Sequence, residues 1–319
     1  MSAYTAASPD ISALVDGQVN SSAGVKTPIA NLKLAIETLG NLVTPSAQIC
    51  NGRATLTSGT AITTSDVTAA TNIYWTPHDG NRIAIYDGTN WIPYAFSETT
   101  LSLAGLAAST PYDVYGYISA GALALEAVAW TNDTTRATAY ALQDGIKVKS
   151  GTTTKRHLFS FRTTSTIGQT EDSFANRLLS NTYNAVPRIL RIRDTTDSWT
   201  YATAAYRSWN NSTANRVTFM RGFNETPVIF EFTGLLSQTG SVAGGIGIGL
   251  GSTTVNSAYV YTYGIPTFTV PIVARYSDMP ALGYNYLQLL EYATGATVTF
   301  YGDVGATYIQ SGAIGAVWG

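Results

Sequence analysis

From about Cys50 to Thr163, and again from Val186 onward, apolar and polar residues alternate in short runs rich in Val, Ile, Thr and Tyr. A period of two is the period of a β-strand, whose successive side chains point to opposite faces. Most of the chain is therefore committed to antiparallel sheets. RIAIYDGTNWIPYAF reads as a hairpin turning at Asp87-Gly88, and TPYDVYGYISAGALALEAVAW reads as another. In the second, Val114 alternates with Tyr115, and Leu123, Leu125 and Ala127 share a face opposite Glu126. These runs predict an antiparallel β-domain over 49–165, ending near HLFSFRTTS. TSTIGQTEDSFANRLLSNTYN follows as a linker or leading strand, in which GQTEDS reads as a solvated turn. RILRIRD, SWTYATAAYRSW, RVTFMRGF, TPVIFEFTGLL, AYVYTYGIPTFTVPIVA, NYLQLLEY, ATVTFYG and AIGAVWG then supply strands for a jelly-roll-like sandwich, so that 166–319 forms the linker and last domain.

One stretch breaks the pattern. Between Pro28 and Val43 the apolar residues are Ile29, Leu32, Ile36, Leu39 and Val43, spaced alternately by three and four. That is a heptad stripe, with Ile29, Ile36 and Val43 at a and Leu32 and Leu39 at d. Thr27 can cap the helix, Pro28 suits its first turn, and Gly40 and Pro45 close it. So narrow a stripe covers only a seam. Either it packs on the chain's own β-domain, or it meets the same helix from other copies, making 28–48 a helical bundle. Isolated helices of this length are marginal, so neighbouring domains must help hold such a bundle. β-branched residues at a with Leu at d are associated with dimers, but two heptads are too few for that rule to decide. Residues 1–27 are small and polar, either a free tail or a peptide that orders on docking to a larger body.

Only 12% of the 319 residues are charged, about half the usual share, while 45% are hydrophobic. That suits a β-rich structural protein and excludes a disordered chain. The net charge is −2 with no basic block, so no nucleic-acid partner is expected. The single Cys50 excludes an intrachain disulfide framework. No signal peptide is visible at the start, and no apolar run is long enough to span a membrane.

The glycine run Gly244 to Gly251 is the most unusual local feature. As a strand it puts Ile246, Ile248 and Leu250 on one face and Gly245, Gly247, Gly249 and Gly251 on the other. A face without side chains marks close approach of another backbone, at a symmetry axis or a sheet corner; a flexible loop is the alternative. Trp199, Tyr201, Tyr206 and Trp209 lie close in sequence, and Tyr259, Tyr261 and Tyr263 alternate on one strand face. Core or subunit-interface packing accounts for both groups, with stacking on a sugar receptor as the rival use.

Signals for catalysis are poor. His78 sits in the turn TPHDG and His157 in KRHLF, and neither has ligand spacing for zinc. There is no G-x-S-x-G elbow, dinucleotide fingerprint or P-loop, although a Ser-His-Asp grouping stays open. Carboxylate pairs for glycan hydrolysis could come from Glu171 and Asp172, Glu225 and Glu231, or Asp194 and Asp197. Glu231, however, alternates outward between Phe230 and Phe232. The expectation is a non-enzyme with no cofactor and no metal.

TPHDGNRIAIYDGTNW, LEAVAWTNDTTRATAYALQDGIKVKSGTTTKRHLFSFRTT, and GQTEDS followed by TDSWTY resemble a family of bacteriophage virion proteins, whose members are tail-fibre or structural proteins. The resemblance covers about 50–209. More loosely, GYNYLQLLEYATGATVTFYG and the last run to Trp318-Gly319 resemble the trimeric jelly-roll heads of phage fibres. The resemblance implies a homotrimeric virion component located on the tail, baseplate or capsid surface. Residues 1–27 would contact another virion protein, and the β-domains would meet a host-surface glycan. The alternatives are a capsid-bound head fibre or decoration protein, and a host-glycan depolymerase.

Overall fold

A computed structural model describes residues 47–238, 243–261, 263–264, 269–303, 305, 307 and 310–319. The heptad residues Ile29, Leu32, Ile36, Leu39 and Val43, and the tail before them, lie outside the described residues. Ala47–Gly319 forms one compact unit. Its fold is mostly β, as the alternation predicts; the helical content among the described residues is a single 3-10 turn, Trp209–Asn211.

The turn chemistry sets the hairpins. Arg82–Tyr86 and Trp91–Ala95 pair antiparallel around a loop in which Asp87 Oδ1 accepts from the backbone N–H groups of Thr89 and Asn90, at 2.8 and 2.7 Å. Pro111–Ser119 and Ala122–Ala129 are joined by Ala120-Gly121, both with positive φ. Asp144-Gly145 joins Tyr140–Gln143 to Ile146–Lys149 in the same way. Two positive φ values in a two-residue loop match the right-handed twist of the flanking strands.

Two large apolar cores result, beside a small third cluster of Ala84, Trp91 and Val148. The first fills the N-terminal part, where Ile73, Trp75, Ile83, Val114, Leu158, Phe159 and Phe161 are buried together. Its main sheet runs Ala122–Ala129, Pro111–Ser119, Thr152–Arg162, Ile146–Lys149 and Tyr140–Gln143, with Leu179–Asn181 also bonded to Thr152–Arg162. The second core lies between two larger sheets that pack as a sandwich. One sheet carries Arg216–Arg221, Gly283–Ala293 and Gly244–Leu250, supplying Val217, Phe219, Leu287, Leu289, Ile246 and Ile248. The other runs Pro187–Ile192, Gly312–Trp318, Val228–Gln238, Val270–Asp278 and Val260–Tyr261, supplying Leu190, Val317, Phe230, Phe232, Ala274 and Tyr276.

The two cores are separate apolar clusters, and buried ion pairs and hydrogen bonds cross between them. Asp172 is 6% exposed and receives Arg177 at 2.9 Å and Arg188 at 2.6 Å. Arg188 also donates to the carbonyl and hydroxyl of Thr63, at 2.9 and 3.0 Å. Arg53, buried nearby, donates to the carbonyls of Ala61, Asn184 and Gly319. Burial, then the neighbouring Arg188 charge, push the Arg53 guanidinium down to about 10. The segment Thr170–Asp172 is therefore a strand, bonded to Val67–Ala70 on one side, and its aspartate is a buried ion-pair centre. This corrects the solvated turn expected for GQTEDS. Two arginine partners and their hydrogen bonds offset the cost of burying this carboxylate, which would be large if it stood alone.

Two further expectations change. The long run AYVYTYGIPTFTVPIVA is not one strand: Val260–Tyr261 pairs with Val270–Asp278 in one sheet, and Tyr263–Gly264 pairs with Gly244–Leu250 in the other. The chain changes sheet there, so Tyr259, Tyr261 and Tyr263 do not share one strand face. The glycine run is a strand with Ile246 and Ile248 buried in the second core, but its bare face meets its own chain. A Cβ at Gly249 would strike the carbonyl oxygens of Ser252 and Val255, and one at Gly247 the side chain of Asn256. That loop bonds to the strand edge, with Ser257 N–H donating to Ile248 O at 2.7 Å and Ile248 N–H to Asn256 Oδ1 at 3.1 Å. The close approach expected at a symmetry axis is thus made within one chain. Gly245 pairs with Tyr263 and Tyr292 in the same sheet. Gly249→Ala should lower stability by ~1–3 kcal/mol, because backbone must move to admit the methyl. Native mass should not change; a variant that changes subunit number without changing the melting temperature would return the glycines to an axis.

Candidate functional site

The sandwich has one outward sheet face, and its side chains follow from register. On Val228–Gln238 the inward residues are Val228, Phe230 and Phe232, leaving Ile229, Glu231 and Thr233 outward. On Gly312–Trp318, Ala313 and Val317 point in, and Ile314 and Ala316 point out. Pairing sets Ala316 between Ile189 and Ile229, and Ile314 between Arg191 and Glu231. Ile189, Ile229 and Ile314 are 49%, 48% and 59% exposed. Three large apolar side chains are thus exposed on one face across three adjacent strands, two of them flanking Ala316. Glu231, one strand over, is paired with Arg275 at 2.5 Å.

Beside this face lies an open cleft of ≈ 550 Å³, bounded by Asp66, Phe174, Arg191, Arg193, Ala313 and Ile314. Phe174 is held there by two backbone bonds: its N–H donates to Asp66 Oδ1 at 2.8 Å, and its carbonyl accepts from Arg191 N–H at 2.9 Å. The Arg191 guanidinium lies 3.7 Å over the Phe174 ring. A second, polar cleft of ≈ 390 Å³ includes Arg162, Glu171, Asn176, Thr218 and Tyr284. Its groups already satisfy one another: Arg162 pairs with Asp133 at 2.9 Å, Asn176 donates to Glu171 at 3.0 Å, and Thr218 donates to Asn176 at 2.6 Å.

The sequence aromatics separate. Trp209 is buried, edge-on to Trp199, Phe232 and Phe300 at 4.8, 4.8 and 5.3 Å. Trp199 donates its indole N–H to Glu291 at 2.6 Å. Tyr201 lies under Arg207 at 3.9 Å, and Tyr206 packs on Tyr292 at 5.1 Å. Tyr259 is exposed, and its hydroxyl reaches Asp278 at 3.4 Å.

A Ser-His-Asp grouping does assemble, at Ser160, His157 and Asp113, all buried. Its wiring is not that of a nucleophile and base. His157 Nε2 and Ser160 Oγ lie 3.3 Å apart and both face Asp113 Oδ1, at 3.2 and 2.6 Å, while Nδ1 faces the Thr182 hydroxyl at 3.0 Å. A neutral imidazole with its proton on Nε2 donates to Asp113 and accepts from Thr182, while the Ser160 hydroxyl donates its own proton's bond to Asp113. No lone pair then remains on Nε2 to take the serine proton. Arg136 closes the carboxylate at 2.7 Å and also bonds the Gly222 carbonyl at 2.5 Å, beside Tyr140. The cluster clamps the Gly222 backbone of the second core's sheet onto the first core.

The carboxylates proposed from sequence are also engaged. Glu225 pairs with Lys147 at 2.6 Å, and His78 faces Asp79 at 3.6 Å. Asp194 accepts from Asn210 and Asn215 at 3.1 and 2.5 Å, and Asp197 accepts from Gly305 N–H at 2.8 Å. Burial alone would raise Asp194, but hydrogen bonds from Thr196, Asn215 and Asn210 outweigh it and hold the carboxyl low. Glu291, which also receives the Asn210 N–H, is pushed up by burial. Opposed shifts around one asparagine can mark an acid and base pair, but the Glu291 side chain has no exposed surface and is paired with Arg207. Burial pushes the Cys50 thiol up to about 11. Among the described residues no group of three or more His, Cys, Asp and Glu could hold a metal ion, and no helix is long and apolar enough to cross a membrane.

No protein-family model matches the chain, and no curated protein matches it. Among solved structures it is similar to the crystal structure of a Bacillus thuringiensis Cry1Da tryptic core variant, at 8% identity and a TM-score of 0.21. The match covers 86% of this chain but spans about half (53%) of that one. A likeness that slight carries no argument about fold or function.

Burial depresses the His157 pKa below its ordinary 6.5, outweighing the bond and charge of Asp113. The native state stays neutral where the unfolded chain takes a proton. Stability from this site is therefore whole above 6.5 and is lost progressively as pH falls below it. Burial also works against the Asp113 carboxylate, but bonds from His157 and Ser160 and the Arg136 charge hold it below 3.8, adding a second loss further down. The melting temperature should fall between about pH 7 and pH 5. In His157→Gln it should start lower and fall less over that range. An equally steep decline in the variant would assign the pH dependence elsewhere.

Proposed function

We propose that this chain is a non-enzymatic bacteriophage fibre or spike protein that works as a homotrimer and adheres to the host surface. Residues 1–27 attach it to the particle, 28–48 join three copies, and the β-unit projects outward, its last part resembling a jelly-roll head. The observation that carries this reading is the outward face of Ile189, Ile229 and Ile314. The heptad stripe is a second apolar seam, found independently in the sequence, and both are satisfied by further copies of the same chain. The resemblance over about 50–209 supplies the virion setting. The buried, fully wired Ser160, His157 and Asp113 favour adhesion over depolymerisation, because polar groups serving the fold are not free for chemistry.

The test has two parts. Native mass measurement should give three chains, and Ile314→Asp should shift the population toward smaller species while the monomer stays folded; a parent monomer or dimer would overturn the trimer. Antibody against the chain should label phage particles, and the purified protein should compete with them for host cells. Particles without the protein would end the virion reading, and shortened host polysaccharide after incubation would favour the depolymerase.

A further inference from the structure

We infer that the cleft between Arg191, Arg193 and Phe174 binds an anionic saccharide unit through its carboxylate or phosphate. The argument starts from unspent charge. Arg191 and Arg193 are two apart where the edge strand Pro187–Ile192 runs out, which spaces them by roughly 7 Å on one side. Arg193 is exposed, and among the described residues neither guanidinium has a carboxylate within ion-pair distance; the Arg191 guanidinium lies over the Phe174 ring. The other cleft arginine, Arg162, is already paired. Asp66 is the acid of the first cleft, and one of its oxygens is taken by Phe174 N–H. The cleft thus keeps a positive excess, in the forked form that matches a carboxylate or phosphate.

The rest of the lining chooses the class. Phe174 and Ala175, both half-buried, give an apolar wall against which the C–H face of a sugar ring can pack. The space is open to solvent, which suits one unit of a longer glycan. An extended acidic peptide would dock by adding to the strand edge, but that edge is taken: Arg191 N–H donates to Phe174 O at 2.9 Å, and Ile189 O accepts from Arg177 at 3.0 Å. A ligand here is held by side chains.

The inference deepens the adhesion reading and rests on it only for where the sugar comes from. Calorimetry on the full chain, with N-acetylneuraminic acid, glucose 1-phosphate, N-acetylglucosamine and a tetraglutamate peptide, tests it. At least one anionic sugar should bind, the neutral sugar should not, and the two anionic arms tell carboxylate from phosphate. Arg193→Ala should weaken binding by at least about tenfold with an unchanged melting temperature. Arg191→Ala should do the same, and if it also melts earlier, having lost its ring contact, the Arg193 variant decides alone. No binding by either anionic sugar, parent-like binding by Arg193→Ala, or tighter binding of tetraglutamate would each overturn the inference. Sugar binding without competition for host cells would instead overturn adhesion and leave this site standing.

Discussion

The structure depends on one buried carboxylate. Asp172 sits between Arg177 and Arg188, and the Arg188 fork carries the contact on to Thr63. Apolar packing fills each core, and buried polar groups link one to the other. A lone buried charge would cost several kcal/mol, whereas a carboxylate with two cationic partners and further hydrogen bonds can be held. The second crossing, at Asp113, Arg136 and the Gly222 carbonyl, follows the same rule. Between them they help explain why Ala47–Gly319 forms one unit around two large hydrophobic clusters and a small third.

The same crossing builds the surface that the functional reading uses. Asp66 belongs to the first part of the chain and Phe174 to the connecting segment, while Arg191 and Ile314 belong to the outer sheet of the sandwich. They meet because Thr170–Asp172 pairs with Val67–Ala70 on one side while Asn176–Arg177 pairs with Arg216–Arg221 on the other. The connecting segment is thus both weld and wall. The isoleucine face needs no such help, since alternation along three strands produces it. A face made by period alone can serve assembly, and a cleft made by convergence of distant segments can serve recognition.

Much of the fold was legible because period and turn chemistry are local. Asp87-Gly88 marked its hairpin, and Phe230 and Phe232 against Glu231 gave the in-and-out order of a central strand. The glycine run was readable as a strand with Ile246 and Ile248 inward, but what covered its bare face depended on a loop a few residues on. Tyr261 and Tyr263 fit one strand by period, and only pairing shows that the chain changes sheet between them. Asp172, His157 and Arg188 were missed as core residues because charged residues near strand ends read as outward. Their burial is decided by partners as far off as Thr63, 125 residues from Arg188. An arginine or aspartate inside an otherwise apolar strand, as in KRHLFSFR, was the one local signal available.

Native-state hydrogen exchange on the full chain tests the central claim, that two cores behave as one body because polar crossings join them. Thr152–Arg162 reports on the first core and Gly283–Ala293 on the second. The slowest amides of both strands should open with the same free energy, and Asp172→Asn should lower both together by about 3–5 kcal/mol. Slowest amides that differ by more than about 1 kcal/mol between the strands, or a variant that loosens one core and spares the other, would contradict it.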